Sequence, residues 1–171
     1  DFYPDLRTIL VYPEAYVVKT HRVLSNGVVV EEDGVRLGES WTSGSVVLAW
    51  SASKHGAYNA QDGCTVVLHE FAHQLDQVNG KVDGIPALGR GKGYAERKEH
   101  YRRWVQTIKP VYEELCEMER KGRKSFLNHY GATNPAEFFS VATEHFFEEG
   151  KRMRREHPKV YAEFQDYYKQ D

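Results

Sequence analysis

The stretch VVLHEFAHQLD, Val66 to Asp76, sets two histidines, a glutamate and an aspartate into an otherwise apolar run. Such a run reads as a helix packed on a core, where an unpartnered polar group costs roughly 1–3 kcal/mol. His69, Glu70 and His73 therefore need something that satisfies them. Helical residues four apart stack with about 6 Å between side-chain origins, so His69 and His73 aim two imidazoles at one point. A zinc ion fits there, since neutral imidazole binds zinc at about 2.0 Å. Glu70, turned about 100° from His69, would hold its carboxylate beside the ion and take a proton from a water without being a ligand.

Outward from this segment the chain divides in two. The first fifty residues carry five short β-like runs, RTILVY, AYVVK, GVVVEE, VRLGES and SVVLAW, separated by turn signals at Pro13, Ser25-Asn26-Gly27, Asp33-Gly34 and Ser43-Gly44. Asp33-Gly34 is the best hairpin turn among them. From Asn59 onward the pattern is helical. A first helix is expected from about Ala60 to Gln77, stopped by Val78-Asn79-Gly80. The glycine-rich stretch Asn79 to Tyr94 reads as a surface loop, either a plain connector or a mobile lid.

A long helix follows, with Tyr94, Tyr101, Trp104, Val105, Ile108, Tyr112 and Leu115 at helical spacing and Pro110 expected to kink or divide it. Another opens with Asn134 as cap and Pro135 at its first position, burying Phe138, Val141, Ala142, His145 and Phe146. There His145 reads as a satisfied core histidine. A last helix, begun by Pro158, carries Tyr161, Phe164 and Tyr168. A strand-rich start followed by helices is an α+β architecture, a small N-terminal sheet on a helical core.

Composition narrows the function classes. With 171 residues, 40% hydrophobic and 13% aromatic, the chain is expected to be one domain, residues 1–171. The formal net charge of -2 gives no argument for nucleic acid or an anionic membrane as main partner. The run KRMRREH, Lys151 to His157, reads as a solvated face, so no nucleic acid is expected. No apolar run approaches the roughly 20 residues that span a bilayer. Two cysteines, Cys64 and Cys116, fit free thiols, and the chain is expected to be soluble and cytoplasmic. It opens on Asp1-Phe2-Tyr3-Pro4 without an initiator Met, the expectation for a piece of a longer polypeptide.

Two histidines do not complete a catalytic zinc site, which usually has three protein ligands and an open position. Acidic candidates for the third are Asp76, Glu96, Glu99, Glu113, Glu114, Glu137, Glu144, Glu148 and Glu149. Glu137 and Glu144 stand out, seven apart on one helix near its apolar stripe. Glu137 has a competing role, closing a capping box with Asn134.

HEFAHQLD together with YGATNPAEFFSVATEHFFE resembles the zinc peptidases of the Mlc titration factor A family, which are similar in their active sites to the anthrax lethal factor catalytic domain. The resemblance runs from ILVYPEAYVV through GESWTSGSVVLAW to HPKVYAEFQDYY. It implies a gluzincin-like zincin core with the metal between two helices. His69, His73 and Glu137 would be ligands to one zinc, Glu70 the general base, and Tyr130, seven before Glu137, a catalytic assistant. A phenol there can donate to the oxyanion formed as water attacks a peptide carbonyl. Glu144 and Asp76 read as groups that orient a ligand imidazole.

By analogy with related peptidases, SVVLAW would pair with an extended substrate. The resemblance implies aminopeptidase-like activity on short peptides, though no amine-anchoring motif is visible. The alternative is a regulatory protein that sequesters a transcriptional repressor, as the family name implies for enterobacterial members.

Overall fold

The computed structural model describes residues 3–23, 29–88 and 93–170, without the side chains of 19–23 and 29–33. The strands are β1 (Thr8–Tyr12), β2 (Tyr16–Val23), β3 (Val29–Arg36), β4 (Gly38–Trp41) and β5 (Ser45–Ala49). The helices are α1 (Trp50–Tyr58), α2 (Val66–Gln77), α3 (Tyr94–Arg120), α4 (Pro135–Glu148), α5 (Gly150–Glu156) and α6 (Pro158–Tyr168), with a 3-10 turn at His129–Ala132 ahead of α4. The architecture is α+β, with a small N-terminal sheet and a mostly helical core.

The strands form two sheets. In the three-stranded sheet β5 is central, parallel to β1 and antiparallel to β4. Its run SVVLA is buried from Val46 to Ala49, as a continuous apolar strand requires. SVVLAW is thus not free to take a substrate strand, because both edges of β5 are filled; β1 and β4 are the edge strands, and β4 is the one that borders the helices. β2 and β3 pair as a separate antiparallel ribbon. Asp33 and Gly34 lie inside β3, opposite Lys19 and Val18, and make no turn. The ribbon is joined through 24–28, so the Ser25-Asn26-Gly27 turn signal lies outside the described residues.

The helical boundaries differ from expectation in three places. Trp50 begins α1, and α2 starts only at Val66, because Asp62-Gly63 breaks the run and Gly63 takes a left-handed φ of +69°. Pro110 leaves α3 unbroken: it lies on an exposed face, where the carbonyl it frees meets water. The buried stripe of α3 is His100, Trp104, Ile108 and Leu115, while Tyr94 and Tyr101 are exposed. KRMRREH falls within α5 and just beyond it; Met153 is fully buried, Arg152 lies over the Phe126 ring at 4.8 Å and pairs with Glu149 at 3.0 Å.

The core joins α2, α3, α4 and α6. Trp104 stacks on Phe164 at 5.3 Å, and Phe139 meets Phe164 at 5.7 Å. The loop after α2 is tied to this core. Asp76 accepts from the Gly84 amide at 2.9 Å, Asn79 donates to the Ile85 carbonyl at 2.6 Å, and Leu88 is buried. Residues 79–88 are therefore not a loose lid; 89–92 lie outside the described residues. Gly84, at φ +74°, passes so close to Pro135 that an added Cβ would sit 2.2 Å from its carbonyl oxygen. This contact sets where α4 begins.

Phe164 is wholly buried between Trp104 and Phe139. Phe164→Ala is expected to cost about 3–5 kcal/mol, read as a lowered urea midpoint at unchanged slope.

Candidate metal centre

Two packed helices build the site. α2 presents His69 and His73 one turn apart, their rings edge-on with centroids 4.9 Å apart. α4 delivers Glu137 from its first turn, where Asn134 caps the helix by accepting from the Glu137 amide at 3.0 Å. The Glu137 carboxylate does not close a capping box. It reaches His69 Nε2 at 2.9 Å and His73 Nε2 at 3.3 Å. One donor atom from each of His69, His73 and Glu137 lies within 4.8 Å of the other two, the one such group among the described residues.

Glu144, two turns further along α4, fixes the orientation of His69. One oxygen meets His69 Nδ1 at 2.7 Å, and the other accepts from the Thr65 amide just ahead of α2 at 2.5 Å. Glu148 adds a bond from the Cys64 amide at 3.1 Å. The free N–H groups at the entry to α2 are thus met by carboxylates of α4, which also favours the positive end of the helix dipole. With Nδ1 engaged, His69 turns Nε2 toward Glu137. Among the described residues Asp76 makes no hydrogen bond to an imidazole; its Oδ2 accepts from the Gly84 amide, so it acts on the start of α4 rather than on a histidine ring. His145 is a satisfied core residue, bonded through Nδ1 to Glu149 at 2.8 Å and accepting from the Asn128 amide at 3.2 Å.

The remaining groups converge on a cleft of about 390 Å³ lined by Glu70, Tyr130, Glu39, Arg36 and the donor residues. Glu70 is buried against β4, where Gly38 makes room for it: a Cβ there would lie 2.6 Å from Glu70 Cγ and 2.7 Å from its Oε1. Tyr130, half-exposed, holds its ring 5.8 Å from that of His69. Gln74 and Gln77 of α2 both donate to Ser40 Oγ, at 2.7 and 3.1 Å, locking β4 beside the cleft.

The electrostatics favour a cation. Burial pulls His69 down, but hydrogen bonds to Glu137 and Glu144 outweigh it and raise its pKa to about 10. Burial pushes Glu137 up, yet bonds from His69 and His73 bring it to about 2. The carboxylates thus hold a proton on His69 where a divalent ion would otherwise supply the positive charge. Two imidazoles and a carboxylate with a fixed Nδ1 are a zinc-type donor set, and these residues fit that ion. Glu70 is raised to about 7, chiefly by burial, with the imidazoles opposing. Burial and Glu137 raise Tyr130 above its ordinary value.

The sequence singled out His69, Glu70, His73, Tyr130 and Glu137, and the structure brings all five to one cleft. Arg36, Gly38 and Glu39 escaped notice. A glycine inside the β-like run VRLGES was the available signal for Gly38, since it often marks close approach of another group.

An α+β chain whose helical core carries a candidate metal site of two imidazoles and a carboxylate narrows the class considerably. Residues 1–169 match the family model for glucose-regulated metallo-peptidase M90, and the chain belongs to that family. It is 41% identical over 167 residues to an uncharacterized protein of Synechocystis sp., covering 97% of this chain and 58% of that protein. It is 30% identical over 170 residues to Mlc titration factor A of Yersinia pestis and of Yersinia pseudotuberculosis, covering 95% of this chain. The chain spans 58% of the length of these relatives.

Because folding raises Glu70 from 4.5 to about 7, the metal-free chain loses Glu70's share of stability as pH climbs through that window. With a chelator present, Glu70→Gln should gain on wild type by about 2–3 kcal/mol between pH 4.5 and pH 8. Urea unfolding at both pH values measures this; an unchanged gap would contradict it.

Proposed function

We propose that this chain is the catalytic unit of a zinc-dependent peptidase of zincin, gluzincin-like type, acting on short peptides in an aminopeptidase-like manner. The observation that carries the reading is the convergence of His69, His73 and Glu137 donor atoms within 4.8 Å, beside Glu70 and Tyr130 in one cleft. His69, His73 and Glu137 would hold one zinc ion, which when bound acidifies a water and polarises the scissile carbonyl.

The protein's own groups do the rest. Glu70, buried beside the donor residues in the same cleft, can accept a proton from the attacking water and pass it to the departing amine. Tyr130 keeps its proton at neutral pH and can donate to the developing oxyanion. The edge of β4, unpaired among the described residues, offers backbone groups to an extended peptide, a role expected of SVVLAW that its central position in the sheet denies it. Two free cysteines suit a reducing compartment, and we assign the protein to the cytoplasm. No helix among the described residues is long and apolar enough to cross a membrane.

A second reading follows from the name of the Yersinia relatives: the chain would sequester a transcriptional regulator, with hydrolysis secondary. Regulator binding that is indifferent to Glu70→Gln, in a chain without peptidase activity, would favour it.

Metal analysis of purified protein should give about one zinc per chain, falling well below half in His69→Ala and Glu137→Ala. Glu70→Gln should keep its zinc and lose hydrolysis of aminoacyl anilides by about 10³-fold or more. Tyr130→Phe should lower kcat about 10²-fold with little change in KM. A zinc-free wild type after metal-replete preparation, or full activity in Glu70→Gln, would overturn the proposal.

A further inference from the structure

Adjoining the candidate metal centre lies a second cavity, of about 610 Å³. Val35, Leu37, Ala52, Val66 and Val141 give it a largely apolar wall. It is contiguous with the first cleft, since Arg36, Gly38, His69, Glu70 and Tyr130 border both. Val35 and Leu37 are exposed, so this wall presents apolar surface to solvent.

Arg36 stands at the junction. No hydrogen bond or ion pair to it occurs among the described residues, and its Nε is buried without a partner. Its register partner across the ribbon is Tyr16, whose hydroxyl is also buried without a partner. Two unpartnered donors side by side are costly unless an acceptor arrives. A planar guanidinium is matched best by a carboxylate. The negative groups nearby do not serve: among the described residues neither Glu70 nor Glu39 bonds Arg36.

Resting on the peptidase reading, we propose that the apolar cavity and Arg36 together bind the C-terminal residue of a short peptide. The apolar side chain fills the cavity and the free α-carboxylate pairs with Arg36, which makes Arg36 a specificity-determining residue. A cavity of this size accepts the largest apolar side chains. The substrate class is then dipeptides ending in residues such as leucine or phenylalanine, cleaved between their two residues, which releases the first residue as aminopeptidase-like action requires.

The test uses zinc-loaded protein with Ala-Leu, its C-terminal amide, and Ala-Ser. Wild type should favour free acids over amides by about 10-fold or more in kcat/KM and favour Leu over Ser. In Arg36→Ala the acid-to-amide ratio should fall to about one, and Arg36→Lys should restore part of it; circular dichroism and zinc content verify folding. In Glu70→Gln, calorimetric binding of the uncleaved peptides should show the same acid preference, which vanishes when Arg36→Ala is added. Equal treatment of acid and amide by wild type, or a preference that survives Arg36→Ala, overturns this inference. Absence of any cleavage together with a binding preference in Glu70→Gln would sink the peptidase reading and leave the binding site standing.

Discussion

Glu144 is the side chain on which the geometry of the centre depends. One carboxylate bonds the imidazole of His69 at 2.7 Å and the amide preceding α2 at 2.5 Å, so a single residue of α4 fixes both a ring and the helix that carries it. Breaking either contact would leave a buried donor or a buried charge exposed to the penalty of an unmade bond. The same two helices are joined again at the other end through Asp76, Gly84 and Pro135. Glu137 is thereby set by two constraints, one from the entry of α2 and one from its exit.

The site combines fixed and open parts. His69, Glu70 and Glu144 are held by packing and hydrogen bonds, and β4 is locked to α2 through Gln74 and Gln77. Tyr130 and Arg36 both border the two cavities beside this framework. Preorganised charge near a buried carboxylate, with adjustable groups at the rim, is the arrangement in which a small polar substrate can be bound and acted on without reorganising the core.

Much of this was legible in the residues. The four-residue spacing of His69 and His73, the Asn134-Pro135 helix start and the apolar stripe of α4 all state local geometry, and local geometry is what periodicity encodes. The third ligand was narrowed to Glu137 and Glu144 by spacing and settled on Glu137 only through family resemblance; nothing in the sequence says which helix faces meet. The two-sheet arrangement was hidden because β1 pairs in parallel with β5 across the intervening ribbon, a non-local pairing. Helix α1 was missed because WSASKHGAY has little amphipathic contrast. Asp33-Gly34 misled because a turn-prone dipeptide can be overridden by ribbon pairing.

His69 and Glu137 are 68 residues apart in the chain, with all of α3 between them. Closing so long a segment is entropically slow and is rewarded only once the aromatic core around Trp104 has formed. A nascent or partly unfolded chain therefore cannot assemble the centre from α2 alone. The three donor atoms therefore meet only in a chain whose helical core is built.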